Sequence, residues 1–202
     1  YYGMISYLDS CAGMLLERLD ELGMRENTLV VFTTDHGHLF GQHGLYYKGP
    51  FLYEDLIRVP LLVRYPPEVP TGRSCHALQS LVDLAPTLLD FCACPVPGSM
   101  SGVNQHRVWK GEEQAARHCV ICENHQEPVS LHQRCYVDER YKLTAYADRE
   151  WGELYDLTED PGESNNLWNH PGFRNLKEKL LLQALWMEMG REPMWMPRIS
   201  GA

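Results

Sequence analysis

Residues 29–50 read Leu29-Val30-Val31-Phe32-Thr33-Thr34-Asp35-His36-Gly37-His38-Leu39-Phe40-Gly41-Gln42-His43-Gly44-Leu45-Tyr46-Tyr47-Lys48-Gly49-Pro50. The first five form a short, unbroken apolar and β-branched run. Such a run suits burial on both faces and predicts an interior strand of a parallel sheet covered by helices. Asp35 and His36 stand just past its carboxyl end, where open α/β sheets bind their ligands. Consecutive side chains on a strand point to opposite faces, so convergence on one ion requires a bend, and Gly37 frees the backbone beside them. A carboxylate oxygen and an imidazole nitrogen together suit a divalent cation of intermediate hardness. Lys48, twelve residues after His36, can return a point charge toward the same pocket to hold an anionic oxygen. Spacing alone leaves plainer readings open. An Asp after a strand is often a helix N-cap, a His in a Gly-rich loop is often solvated, and most lysines are surface residues.

Upstream, Ile5, Leu8, Ala12, Leu15, Leu19 and Leu22 recur at helical spacing, predicting a helix from about Tyr2 to Leu22 that Gly23 ends in the left-handed conformation. Downstream, Leu61-Leu62-Val63 reads as a second strand, bracketed by Pro60 and Pro66. Leu81 to Phe91 reads as a helix in which Pro86 either makes a kink or marks the first turn of a later start. From Pro95 to about Gly111 the chain is polar and rich in turn formers, which places a boundary there and divides it into residues 1–110 and 111–202. The second part carries four short candidate strands, His118–Glu123, His132–Val137, Tyr141–Tyr146 and Glu153–Leu157, with turn chemistry between the last three. Asp160-Pro161-Gly162-Glu163 is a turn by composition, and Phe173 to Met189 has the periodicity of a last helix. The expected architecture is α/β: a partial sheet covered by helices, then a small antiparallel sheet with a terminal helix.

The chain has 202 residues, 44% of them apolar and 22% charged, the profile of one globular body plus a small appendage. No apolar run approaches the ~20 residues a bilayer-spanning helix needs. A net charge of −9 argues against a nucleic acid partner. Seven cysteines without regular spacing do not make a disulfide framework. They read as free buried thiols in a reducing compartment, which favours the cytoplasm over the periplasm or secretion. Cys119-x-x-Cys122 lacks a second pair at zinc-finger spacing and lies in a strand-like run, where residues three apart face opposite sides. The sequence opens inside an amphipathic pattern with no initiator Met or signal peptide, and so reads as a piece of something longer.

Residues 30–66, VVFTTDHGHLFGQHGLYYKGPFLYEDLIRVPLLVRYP, resemble the second signature region of the sulfatase family, within the alkaline phosphatase superfamily. There a strand ends in Asp-His-Gly or Asp-Asn-Gly, a Gly-x-His-Gly turn follows, and then a Lys. The preceding helix, the stretch Asp83-Leu84-Ala85-Pro86-Thr87-Leu88-Leu89-Asp90 and the distal RYKLTAYADREWGELYDLTEDPGESNNL resemble the same family, in order and over nearly the whole chain. The resemblance implies that Asp35 and His36 are metal ligands and that Lys48 contacts the sulfate or phosphate group and the leaving-group oxygen. His43 becomes either a substrate contact or a stabiliser of its own loop. His38 has no clear counterpart and reads as solvated. Glu123, Asn124 and His125, placed after a strand, are candidates for the pocket rim or for a plain loop. The implied cofactors are a divalent metal, calcium before magnesium, manganese or zinc, and a formylglycine in an N-terminal part.

No Cys/Ser-x-Pro/Ala-x-Arg nucleophile motif stands in these residues: Cys75 is followed by His-Ala-Leu, and no other cysteine fits. The resemblance therefore implies a sulfatase fragment that is inactive alone and completed by the N-terminal half of the same enzyme. Its substrate would be a sulfate ester on a small molecule or glycan. Alternatives are a phosphonate monoester hydrolase or phosphodiesterase of the same superfamily, or a non-catalytic module derived from the fold. Apolar surface left open by missing strands predicts self-association of the fragment.

Overall fold

In the computed structural model, which describes residues 1–126 and 131–191, the apolar run forms β1 (Val30–Thr33). The expected parallel interior strand is corrected. With β4 (Leu61–Arg64), β1 makes an antiparallel pair, Val30 opposite Arg64 and Thr33 opposite Leu61, and this is a two-stranded sheet among the described residues. The side-chain pattern reports burial on two faces. It carries no information on the direction of the partner strand, which the intervening chain sets. Phe32 and its cross-strand partner Leu62 are 47% and 64% exposed, so one apolar face stands open.

The first helix, α1 (Tyr2–Glu21), ends as predicted. Gly23 takes φ +66°, its N–H donates to the Asp20 carbonyl, and the Met24 N–H reaches back to Leu19. This pair of bonds satisfies carbonyls that the last turn would otherwise leave unpaired. No residue of α1 is buried. Next come β2 (Leu39–Phe40) and β3 (Tyr46–Tyr47), a short hairpin, and then α2 (Glu54–Ile57). Pro86 falls in the first turn of α3 (Leu84–Phe91), where its missing N–H costs nothing. A 3-10 turn, Leu81–Asp83, precedes it and is closed by a reciprocal cap between Ser80 and Asp83. The short helix α4 (His106–Lys110) stops at Gly111, φ +81°.

The four expected strands are present as β5 (Cys119–Gln126), β6 (Leu131–Asp138), β7 (Tyr141–Tyr146) and β8 (Gly152–Asp156). They form one antiparallel sheet in sequence order. Strand alternation gives it two dissimilar faces. On one, Tyr136, Leu143 and Leu154 pack with Leu167, Trp168 and Leu180 of the last helix, α5 (Arg174–Arg191). Leu176, Leu181 and Ala184 pack against this core, whereas Leu185 and Met189 of the same predicted stripe face solvent. On the other face, Val120, Cys135 and Val137 meet Leu52, Ile57 and Leu78 from the first half of the chain. The sheet is thus clamped between its own helix and the loops of the candidate site.

All seven cysteines are free, but only Cys135 is buried, and Cys75, Cys92 and Cys94 are exposed. Cys119 packs on the α5 face and Cys122 on the other, which excludes a shared ion. Among the described residues, no helix is long and apolar enough to cross a membrane.

Candidate active site

Asp35 and His36 converge. The chain bends directly after β1, and His36 Nε2 comes to 3.5 Å from Asp35 Oδ2. Asp35 Oδ1 accepts hydrogen bonds from the His36 backbone N–H at 2.9 Å and the Thr34 hydroxyl at 3.1 Å. These bonds, the N–H first, hold the exposed carboxyl below its usual range. His36 Nδ1 lies 2.8 Å from the Gly37 carbonyl, which can only accept, so Nδ1 carries the proton. Nε2 then faces a carboxylate oxygen, and a proton or a cation between the two satisfies both. A carboxylate oxygen and an imidazole nitrogen so placed are donor types that a divalent ion takes. Among the described residues no group of three His, Cys, Asp or Glu could hold a metal, so Asp35 and His36 stand as a pair of donors.

Gly37 fixes this bend for two reasons. Its N–H donates to the Leu56 carbonyl at 2.7 Å, and a Cβ there would collide with the Asp55 carbonyl. Only glycine lets α2 approach this closely. The turn of the Asp-His pair is in this way tied to α2.

Lys48 directly follows β3 of the β2–β3 hairpin, in which Leu39 lies opposite Tyr47. Lys48 is exposed, and among the described residues it makes no ion pair or hydrogen bond with Asp35 or His36. Tyr47, just before it, holds φ +68°, a left-handed conformation that costs a non-glycine residue energy and recurs at functional sites. In the Gly-x-His-Gly turn, Gly41, His43 and Gly44 all have positive φ. The His43 ring lies flat on Tyr53, centroids 3.7 Å apart and planes 7° apart, and it stays exposed. His38 is half-buried rather than solvated, packed among Tyr1, Phe40 and Tyr47.

The antiparallel sheet is the floor of these loops. Asn124 Nδ2 and Gln133 Nε2 both donate to the Pro50 carbonyl, at 3.1 and 2.6 Å, and pin the chain two residues past Lys48. The three rim candidates thus separate, because all lie inside β5. Asn124 faces the site loop, whereas Glu123, paired with Arg134, and His125, its ring tilted against that of His132, point to the other side. Deeper in the floor, Lys142 is 1% exposed. Its ammonium sits 2.7 Å from Glu163 Oε1 and 3.2 Å from Glu54 Oε1. Glu163 Oε2 in turn accepts from the Glu54 N–H at 2.6 Å, capping α2. Sequence reasoning missed Lys142, Gln133 and Glu163. The alternation of Lys142 and Thr144 with Leu143 on β7 is that of an ordinary half-solvated strand, so local pattern carried no signal for them.

A partial α/β half followed by a small antiparallel sheet with a terminal helix is the architecture shared with solved sulfatases. The family model described as N-sulphoglucosamine sulphohydrolase, C-terminal, matches residues 41–189; the chain belongs to the sulfatase family. It is 31% identical to an N-acetylglucosamine-6-O-sulfatase of Bacteroides thetaiotaomicron over 92% of this chain and 34% of that protein. A protein solved in complex with its substrate D-glucosamine-2-N,6-O-disulfate superposes with a TM-score of 0.87 at 27% identity, over 93% of this chain and 39% of the other. The phosphonate monoester hydrolase of Agrobacterium radiobacter superposes with a TM-score of 0.85 at 25% identity, over 95% and 41%. The chain thus spans about a third of the length of the curated relative it matches.

Proposed function

We propose that this chain supplies the second half of the active site of a sulfatase that removes sulfate from a sulfated sugar. The observation that carries this reading is the meeting of Asp35 and His36, Oδ2 to Nε2 at 3.5 Å, directly past the end of β1. In this reading Asp35 and His36 hold a divalent metal, calcium first, with magnesium, manganese and zinc as the other candidates. Further ligands and a formylglycine nucleophile come from a preceding segment of the same polypeptide. When bound, the metal polarises the ester oxygens and lowers the pKa of the nucleophile. The residues of this chain do the rest. Asp35, held ionised by the His36 N–H and Thr34, keeps a full negative charge toward the ion. Lys48 places an ammonium at the sulfate and at the leaving-group oxygen, where negative charge grows as the S–O bond breaks. Asn124 and Gln133 fix the backbone that carries Lys48. A sulfated sugar is supported by the neighbour solved with a glucosamine disulfate and by the N-acetylglucosamine-6-O-sulfatase relative.

In the full-length protein, Lys48→Ala is expected to lower kcat/KM for an aryl sulfate by roughly 10²–10³, the size of a lost oxyanion donor. A change under about threefold would remove Lys48 from the site. The second reading, a phosphonate monoester hydrolase, is favoured by the Agrobacterium radiobacter neighbour. Turnover of an aryl sulfate against a phosphonate ester by one preparation separates the two: the preferred substrate names the activity.

A further inference from the structure

On the face of the sheet that carries the site loops, register puts Thr144 opposite Glu153 and Lys142 opposite Tyr155. Tyr146, Glu153 and Tyr155 therefore share that face. The Tyr146 hydroxyl donates to Glu153 Oε1 at 2.9 Å, and this bond fixes the direction of the carboxylate. Trp151, in the turn between β7 and β8, lies against Tyr146 with ring centroids 4.3 Å apart, yet 48% of it stays exposed. At the other end of the row, Tyr155 is 6.5 Å from Tyr53, the ring on which His43 stacks. Rings and one carboxylate thus share the face between a half-exposed indole at the β7–β8 turn and the Gly-x-His-Gly turn.

This combination has a chemical counterpart. A pyranose ring has an apolar C–H face that suits an indole, and a rim of hydroxyls that suits a carboxylate able to accept more than one hydrogen bond. Trp151 offers the first surface. Glu153, half-buried and held by Tyr146, offers the second. A carboxylate repels sulfate, so Glu153 selects a hydroxylated edge and leaves the sulfated edge to Lys48.

We propose that Trp151 and Glu153 form a sugar subsite, in which the indole stacks on a pyranose ring of the substrate and the carboxylate accepts its hydroxyls. The proposal rests on the site reading above, and it names the residues that make a glycan a better substrate than a simple aryl ester.

The test uses the full-length protein with Trp151→Ala, Trp151→Phe, Glu153→Gln and Lys48→Ala, each assayed on a sulfated sugar and on a small aryl sulfate. Trp151→Ala and Glu153→Gln should raise KM for the sugar roughly threefold to tenfold, the weight of one stacking or hydrogen-bonding contact. The aryl sulfate should change less than twofold, and Trp151→Phe should recover most of the loss. Equal effects on both substrates, or under twofold on the sugar, overturn the subsite. Calorimetric binding of the desulfated sugar gives an independent readout: it should weaken with Trp151→Ala and hold with Lys48→Ala. If Lys48→Ala spares turnover of both esters, the site reading fails instead, and the binding result still decides the subsite.

Discussion

Gly37 shows how one residue sets a site. It contributes no side chain, yet its N–H bonds the Leu56 carbonyl and its missing Cβ makes room for the Asp55 carbonyl. Gly37→Ala should cost ~1–3 kcal/mol, because backbone rather than a pliable side chain must move. Gly13 sits mid-helix in α1 with nothing near its Cβ position, so Gly13→Ala should stabilise by up to ~1 kcal/mol. Urea denaturation of both variants checks this; equal effects at the two positions would refute the packing argument. The same bend was partly legible in the sequence. Asp35, His36 and Gly37 announced a turn at a strand end, but the α2 carbonyl that presses on Gly37 is a tertiary fact that no local pattern carries.

At the scale of elements, the floor of the site is held by charges. Lys142 is enclosed with Glu163 and the half-buried Glu54, and removing the cation alone would strand the buried Glu163 carboxylate out of water. Lys142→Met should therefore destabilise the chain by ~3–5 kcal/mol, and adding Glu163→Gln should restore much of it, because loss of the whole pair is far less costly than loss of one partner. If the double variant is as unstable as the single one, packing rather than charge explains the loss. A second ion pair closes the β7–β8 side of the sheet. Asp156, 5% exposed, takes three contacts of 2.7–3.0 Å from Arg140. The guanidinium first, with help from the Glu159 and Thr158 N–H groups, holds its carboxyl below the unfolded value of 3.8. A depressed pKa contributes stability that is complete above the unfolded value and is lost as pH falls through the folded one. The stability gap between wild type and Asp156→Asn should thus be largest near pH 7 and shrink below about pH 4; a gap independent of pH would contradict this. Alternation made all four strands of this sheet legible, and the Schellman ending of α1 was legible from Gly23. The direction of β1 was not, because residues apolar on both faces look alike in parallel and antiparallel partners. Lys142 was not, because a lysine reads as solvated until its two carboxylates, from α2 and from a distant turn, are brought to it.

At the scale of the whole molecule, the two halves of the chain differ in how completely they are covered. The four-stranded sheet has α5 on one face and the site loops on the other. The β1–β4 ribbon has neither: Phe32 and Leu62 lie open on one face, and Met4, Leu8 and Leu15 of α1 are each more than half exposed. A two-stranded ribbon also offers unpaired backbone groups along its outer edges, which invite pairing with another chain. Apolar side chains left in water at ~25 cal/mol per Å² supply a drive toward any surface that covers them. In the proposed full-length enzyme that cover is the preceding segment. For residues 1–202 alone, the available cover is a second copy. The chain by itself should therefore self-associate in the micromolar range of an analytical ultracentrifugation run, and Phe32→Glu with Leu62→Lys should shift it toward monomer, because the opposite charges also face each other across the strands. A single sharp monomer boundary for the unmodified chain would mean that these faces are not sticky enough to matter, and the incompleteness of the ribbon would lose its physical consequence.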